Sequence, residues 1–279
     1  MKTKSTRNII IFIFIALICG WLGLALDKLA NLEPSNSGET LGMAIWITFP
    51  FLAMILLRCF AGDGWKDFGI KPNFKGNIKW YFAAFFIYPL IIGIVLFIGK
   101  IFGWIDFSNF QVKVYFTGFF GLLVVSLIKN IFEESVWRGY LTAKLLNTKF
   151  ENFGIYIIVG VVWGLWHLPY FLYFLPQSDI HQIFPYGRHL FALLAIITMI
   201  CWTVMYVELF RLTKSIWVVV LLHAVEDSLV NHLIIDGHIV IASGKEILIS
   251  PVCGIITSAL YLGVGLLIRQ YRIKNERLK

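Results

Sequence analysis

Charge is scarce in this 279-residue chain: Asp, Glu, Lys and Arg make up 14% of it, where a soluble domain carries about 25%. So few charges cannot cover a globule of this size in water, which excludes an ordinary soluble domain. Cysteine is scarce as well. Cys19, Cys59, Cys201 and Cys253 stand at unrelated spacings in or beside apolar runs, so they form neither a zinc pattern nor a disulfide framework. The sequence lacks the HExxH of a helical zinc protease and the GxSxG elbow of a serine hydrolase. Internal repeats and low-complexity tracts are absent, and the halves do not echo one another as those of inverted-repeat transporters do.

Apolar residues are abundant instead, at 59%, with 25 Phe, 11 Tyr and 10 Trp and a mean hydropathy of +0.80. Most of the surface must therefore face lipid. A helix crossing the hydrocarbon core needs about 20 mostly apolar residues. Eight runs qualify, at 9–26, 41–57, 80–98, 114–131, 153–175, 189–210, 216–235 and 247–268. The expected fold is an all-α, polytopic transmembrane bundle of about eight helices, one integral-membrane domain over 1–279 in the cell membrane. Pro50, Pro89 and Pro169 fall inside runs and are expected to kink them. The first run continues to Leu26, past the usual length of a secretory signal core, and is expected to be a span.

Basic residues sort by side, as cytoplasmic loops should carry the excess. The loops on the side of the termini hold 18 Lys and Arg, those on the other side hold 5, and Lys129 is left within a span. Both termini are therefore expected in the cytoplasm. The net charge of +8 is accounted for by this topology and calls for no nucleic-acid partner. Between the second and third runs, residues 62–80 mix Trp65, Phe68, Ile70 and Phe74 with four lysines, a pattern suited to an anionic membrane surface.

Ionisable groups at the centre of a span cost about 2.5–3.5 kcal/mol each and mark candidate sites. They concentrate in three spans, as Glu133-Glu134-x-x-x-Arg138, Trp163-x-x-x-His167, and His223-x-x-Glu226-Asp227. Glu134 and Arg138 stand four residues apart and share a helix face, while Glu133 is turned about 100° away and is left available. His223 and Asp227 also stand four apart. If the hairpin between the fourth and fifth runs turns near Phe150, Glu133 and His167 lie 17 residues to either side of it. Antiparallel helices then bring them to one depth, about 25 Å from the turn. His223 lies only about 14 Å beyond Lys214 on the same rise, so the hairpin must project from the membrane or the helices must tilt.

At these residues the chain resembles the CPBP family of intramembrane proteases, also called Abi or CAAX proteases, over about 115–235. Its signature is EExxxR, an aromatic residue four positions before His, then HxxxN or HxxxD. Two positions depart from the commonest form: Trp163 replaces Phe, and Asp227 stands where the best-understood relatives have Asn. A carboxyl donates a hydrogen bond only when protonated, so Asp227 either carries a proton or serves to orient His223. The resemblance implies a metal-free glutamate-dependent endopeptidase acting near the cytoplasmic face on a peptide or lipidated protein tail. Glu133 with His167 would activate water, and His223 with Asp227 would stabilise the oxyanion. Glu134, Arg138 and Trp163 would support them, and membrane lipid would surround the whole.

Two other readings stay open. A zinc site could be built from His167, His223 and one glutamate, the His2Glu pattern of catalytic zinc. A protein of the same fold could also bind a peptide without cutting it, as in bacteriocin immunity or scaffolding. Glu208 and Arg211 are expected to form an interfacial pair, and His181, His189, His232 and His238 are assigned no role.

Overall fold

A computed structural model describes residues 2–32 and 40–278. The glutamates Glu33 and Glu39 of the first connection lie outside the described residues. In chain order the helices are α1 (Lys2–Leu29), α2 (Leu41–Phe60), α3 (Ile78–Ile101) and α4 (Val112–Leu145). There follow α5 (Asn152–Phe174), α6 (Gln177–Ile183), α7 (Arg188–Thr213), α8 (Ile216–Ile235), α9 (Glu246–Ile249) and α10 (Ile255–Arg277). The protein is a polytopic all-α bundle. Among the described residues seven helices, α1 to α5, α7 and α8, are long and apolar enough to cross a membrane.

The eighth expected span is displaced. The apolar run begins at Ile247, but Pro251 interrupts it: the residue before a proline is driven to extended backbone, and Ser250 lies at φ −55°, ψ 127°. A long helix starts only at Ile255 and ends among Arg272, Lys274 and Arg277. Pro50 and Pro89, by contrast, lie within continuous helices.

Small residues let the helices approach. Gly160 and Gly164, one turn apart on α5, face α7, where a Cβ on Gly160 would meet Ile200 Cα at 2.7 Å and one on Gly164 would meet Ile196 Cγ2 at 2.9 Å. This is the small-xxx-small mode of membrane packing. Gly23 and Gly42 bring α1 and α2 into backbone contact, and Asp27 accepts from Gly42 N at 2.8 Å.

The two ends of the bundle are tied separately. At one end, the loop after α2 wraps the last turns of α4: Arg58 donates to Gly139 O and pairs with Asp67 at 2.8 Å, and Lys144 pairs with Asp67 at 2.9 Å. The same loop reaches the α7–α8 turn, where Asn73 donates to Lys214 O and Trp217 to Ile70 O. Burial opposes ionisation of Asp67, but Arg58 and Lys144 prevail and hold its carboxyl below the usual value. Trp65, Ile70 and Phe74 stay exposed, whereas Phe68 is buried against Gly139. The 34 residues of α4 extend about 51 Å, well beyond a hydrocarbon core of about 30 Å, so its wrapped end has length to project.

At the other end, β1 (Ile105–Asp106) pairs antiparallel with β2 (Val240–Ile241). Tyr186 bridges to Glu246 there, at 3.1 Å.

Glu208 is not at an interface with water or lipid. It is fully buried, accepts from Tyr156 at 2.5 Å and from Arg272, and lies 3.4 Å from Arg211. Its carboxylate thus joins α5, α7 and α10. A pairing partner 64 residues away is invisible to local spacing.

Candidate active site

The three helices that carry the polar motifs share a local deformation. Each widens from i→i+4 to i→i+5 hydrogen bonding at or just beyond its motif: at Trp137–Thr142 in α4, Tyr170–Phe174 in α5 and Asp227–Asn231 in α8. Such wide turns are rare and gather at functional sites. In α5 the widening follows Pro169, which has no N–H to continue the ordinary ladder.

Glu134 and Arg138 pair on one face of α4 at 2.8 Å, both fully buried. The Arg138 guanidinium lies between two rings, 4.1 Å from the centroid of Trp163 and 4.2 Å from that of Tyr206. The same oxygen of Glu134, Oε1, lies 2.8 Å from His223 Nδ1. Glu134 therefore joins α4 to α8, and the carboxylate that orients His223 is Glu134. This corrects the expectation that Asp227 would orient it: helical spacing suggests that pair, but Asp227 begins the wide turn and is engaged from α4. Its Oδ2 accepts from Asn130 Nδ2 at 2.7 Å and from Lys129 Nζ at 2.9 Å.

Glu133 points away from Glu134, as its rotation on the helix demands, and pairs with Lys129 at 3.5 Å. His167 Nδ1 lies 2.9 Å from Trp163 O. A carbonyl only accepts, so Nδ1 carries the proton and the neutral ring keeps its Nε2 lone pair for other partners. Phe171 stacks on this imidazole, and Trp166 meets it edge-on.

These groups meet in one cavity of about 260 Å³. Glu133, His167, His223 and Asp227 all line it, as do Trp163, Lys129 and Glu226. Glu134 and Arg138 lie behind this wall. Most of the rest is aromatic and aliphatic side chains of α2, α5 and α7, leaving an apolar chamber with a few convergent polar groups, the usual composition of a small-molecule or peptide site. Trp46 of α2 closes one wall: its Nε1 donates to Trp166 O at 2.7 Å, and its ring stacks on Trp166 and Tyr170.

A metal could be held by a different set from the one expected. His223, Glu226 and Asp227 offer ligand atoms within 4.8 Å of one another; His167 is not in that group. The chemistry of an imidazole and two carboxylates suits zinc, although Lys129 already occupies one oxygen of Asp227.

Lys129, Asn130 and Trp46 are the site residues that the motifs do not reveal. Lys129 does carry a signal, as the basic residue left inside a span and four positions before Glu133. Trp46 carries none, being one aromatic residue among many.

A bundle of membrane-competent helices thus carries a carboxylate and two imidazoles on one apolar chamber, with a buried Glu–Arg pair behind its wall. Residues 114–229 match the family described as Type II CAAX prenyl endopeptidase Rce1-like. The chain is also similar to CAAX prenyl protease 2 of Methanococcus maripaludis, 32% identical over 111 residues. That match spans 39% of this chain and 40% of the relative, and the family match ends within the wide turn of α8.

Proposed function

We propose that the protein is an intramembrane endopeptidase that hydrolyses a peptide bond in a peptide or lipid-modified protein tail. The observation that carries this reading is the convergence of Glu133, His167 and His223, from three helices, on one chamber. Glu133, with the Nε2 lone pair of His167, polarises a water held in the chamber. The water oxygen attacks the scissile carbonyl carbon while its proton passes to Glu133. His223, its Nδ1–H fixed on Glu134, directs Nε2–H at the oxyanion. Collapse of the tetrahedral intermediate breaks the C–N bond, and Glu133 returns the proton to the leaving amine. An oxyanion donor of this kind is worth about 2.7–4 kcal/mol. Asp227 acts less directly than the motif suggests: as a carboxylate it cannot donate, and it instead holds the Lys129 ammonium at the chamber wall.

The test is cleavage of a lipidated-peptide library by purified wild type, Glu133→Gln, His167→Ala and His223→Ala. Loss in all three variants supports the assignment. Variants as fast as wild type would end it, and a wild type that cuts nothing would favour a peptide-binding role such as bacteriocin immunity. The His223, Glu226 and Asp227 cluster gives a zinc-dependent protease a specific footing as second reading. Stoichiometric zinc in the purified protein, with activity lost to a strong chelator and restored by zinc, would select it.

A further inference from the structure

We propose that Lys129 is a catalytic residue: its ammonium is the second donor to the oxyanion, beside His223, and Asp227 is the group that keeps it there. The assignment rests on the endopeptidase reading.

The need for such a group follows from the charges around the chamber. Hydrolysis places a new negative charge on the substrate oxygen, in a chamber whose wall already carries three carboxylates, Glu133, Glu226 and Asp227. Apolar surroundings screen charge weakly, so these groups oppose the forming anion unless a cation answers it. Among the described residues, Lys129 is the one lysine or arginine that lines the chamber. Arg138 cannot serve, being fully buried behind the wall between the rings of Trp163 and Tyr206. The Lys129 side chain, by contrast, is 44% exposed.

The contacts of Lys129 leave it a donor to give. An ammonium carries three N–H groups. One is taken by Asp227 Oδ2 at 2.9 Å, and Asn130 fixes that oxygen in turn, at 2.7 Å. Glu133 Oε1 lies farther off, at 3.5 Å, which is an attraction of charges and too long for a good hydrogen bond. The other oxygen of Glu133, Oε2, is buried without a hydrogen-bond partner among the described residues, so it is placed to take the proton of the water. A carboxylate oxygen of Asp227 also lies within 4.8 Å of a ring nitrogen of His223. The ammonium, the base and the first oxyanion donor therefore belong to one small cluster.

This arrangement lets the ammonium follow the charge. As the water oxygen bonds to the scissile carbonyl carbon, its proton passes to Glu133 and the carbonyl π pair moves onto the substrate oxygen. Glu133 becomes neutral in the same step, so its attraction for Lys129 ends as the oxyanion appears. The ammonium stays hydrogen-bonded to Asp227 and turns a remaining N–H to the oxyanion, as a point charge with rotatable donors can. On collapse the pair returns to the carbonyl, the C–N bond breaks, Glu133 gives its proton to the leaving amine, and Lys129 faces a carboxylate again. Asp227 cannot donate to the oxyanion as a carboxylate; it contributes by anchoring a neighbour that can.

The experiment uses the purified full-length protein, a peptide that wild type cuts, and the phosphinic analogue of that peptide, whose tetrahedral anion imitates the intermediate. Wild type is compared with Lys129→Met and with the double variant Lys129→Met/Asp227→Asn, which removes one of the carboxylates left uncompensated and keeps the test open should the single variant not fold. The expected result for Lys129→Met is a kcat lower by about 10²-fold with KM nearly unchanged, and an analogue bound more weakly by a similar factor. In the double variant the affinity for the analogue relative to KM stays about 10-fold or more below that of wild type, because a neutral amide donates less strongly than an ammonium. A purely structural role for Lys129 would weaken analogue and substrate alike. Wild-type kcat in Lys129→Met, or equal weakening of analogue and substrate in either variant, overturns the assignment and leaves the endopeptidase reading standing. A wild type that cuts no peptide removes both.

Discussion

His223 and Glu134 are joined across two helices: Nδ1 of the imidazole lies 2.8 Å from the carboxylate oxygen that also receives Arg138. A single oxygen therefore sets the orientation of the proposed oxyanion donor and neutralises a fully buried guanidinium. The arrangement makes the second glutamate of the motif as consequential as the first, although it does not line the chamber.

Glu134→Gln keeps an acceptor for His223 but removes the charge that balances Arg138. Loss of an aligned oxyanion donor costs about 10²-fold or more in kcat. With KM nearly unchanged, that would identify an interaction made in the transition state. Thermal unfolding in detergent should also show a large loss, about 3–5 kcal/mol, since a buried charge is left unpaired. A variant with wild-type kcat and stability would remove Glu134 from this role.

Lys129 bridges Glu133 and Asp227, so its loss leaves two carboxylates uncompensated in the chamber wall. Lys129→Met should destabilise the protein, and adding Asp227→Asn should restore part of the loss because the amide needs no counter-ion. The coupling expected for groups in contact is about 0.5–3 kcal/mol. Strict additivity in a double-mutant cycle would show that the bridge is energetically idle.

Gly160 and Gly164 set the distance between α5 and α7. Gly160→Ala meets backbone at Ile200, which cannot rotate away, and should cost about 1–3 kcal/mol. Gly164→Ala meets Ile196 Cγ2 first, at 2.9 Å, with the backbone Cα farther off at 3.3 Å, and should cost less. Gly93→Ala and Gly121→Ala enter open space, and neither should destabilise. The order is read from melting temperatures of the four variants in one detergent.

Asp67 predicts an acid limit to stability at the end of the bundle tied by Arg58 and Lys144. Its carboxyl is held below the ordinary value of about 3.9, so the folded state binds its proton more weakly than the unfolded chain. The contribution is complete above about pH 4 and disappears as the pH falls through the lower folded value. Asp67→Asn should flatten this part of the pH profile of stability, measured by hydrogen exchange in the loop after α2. An unchanged profile would exclude Asp67 as its source.

Much of the candidate site is legible in the linear order of residues. Charged residues are so costly in lipid that Glu133, Glu134, Arg138, His167, His223 and Asp227 stand out from their spans, and helical rotation alone separates Glu133 from Glu134. Counting residues from Phe150 places Glu133 and His167 at one depth, and both do line one chamber. The eighth span is misplaced by the sequence because hydropathy over 247–268 outweighs the effect of Pro251 on the residue before it. Spacing assigns Asp227 to His223 because proximity within one helix is visible in a sequence and contact between helices is not.

The sequence by itself determined a lipid-embedded helical bundle, the sorting of its basic residues and the identity of its costly polar groups, because each follows from composition and period along one dimension. Tertiary structure decided the partners: Glu134 with His223, Lys129 with Asp227, Glu208 with Arg272. Those choices depend on how helices far apart in the chain pack side by side, and on wide turns that rotate a side chain away from the neighbour its spacing would assign.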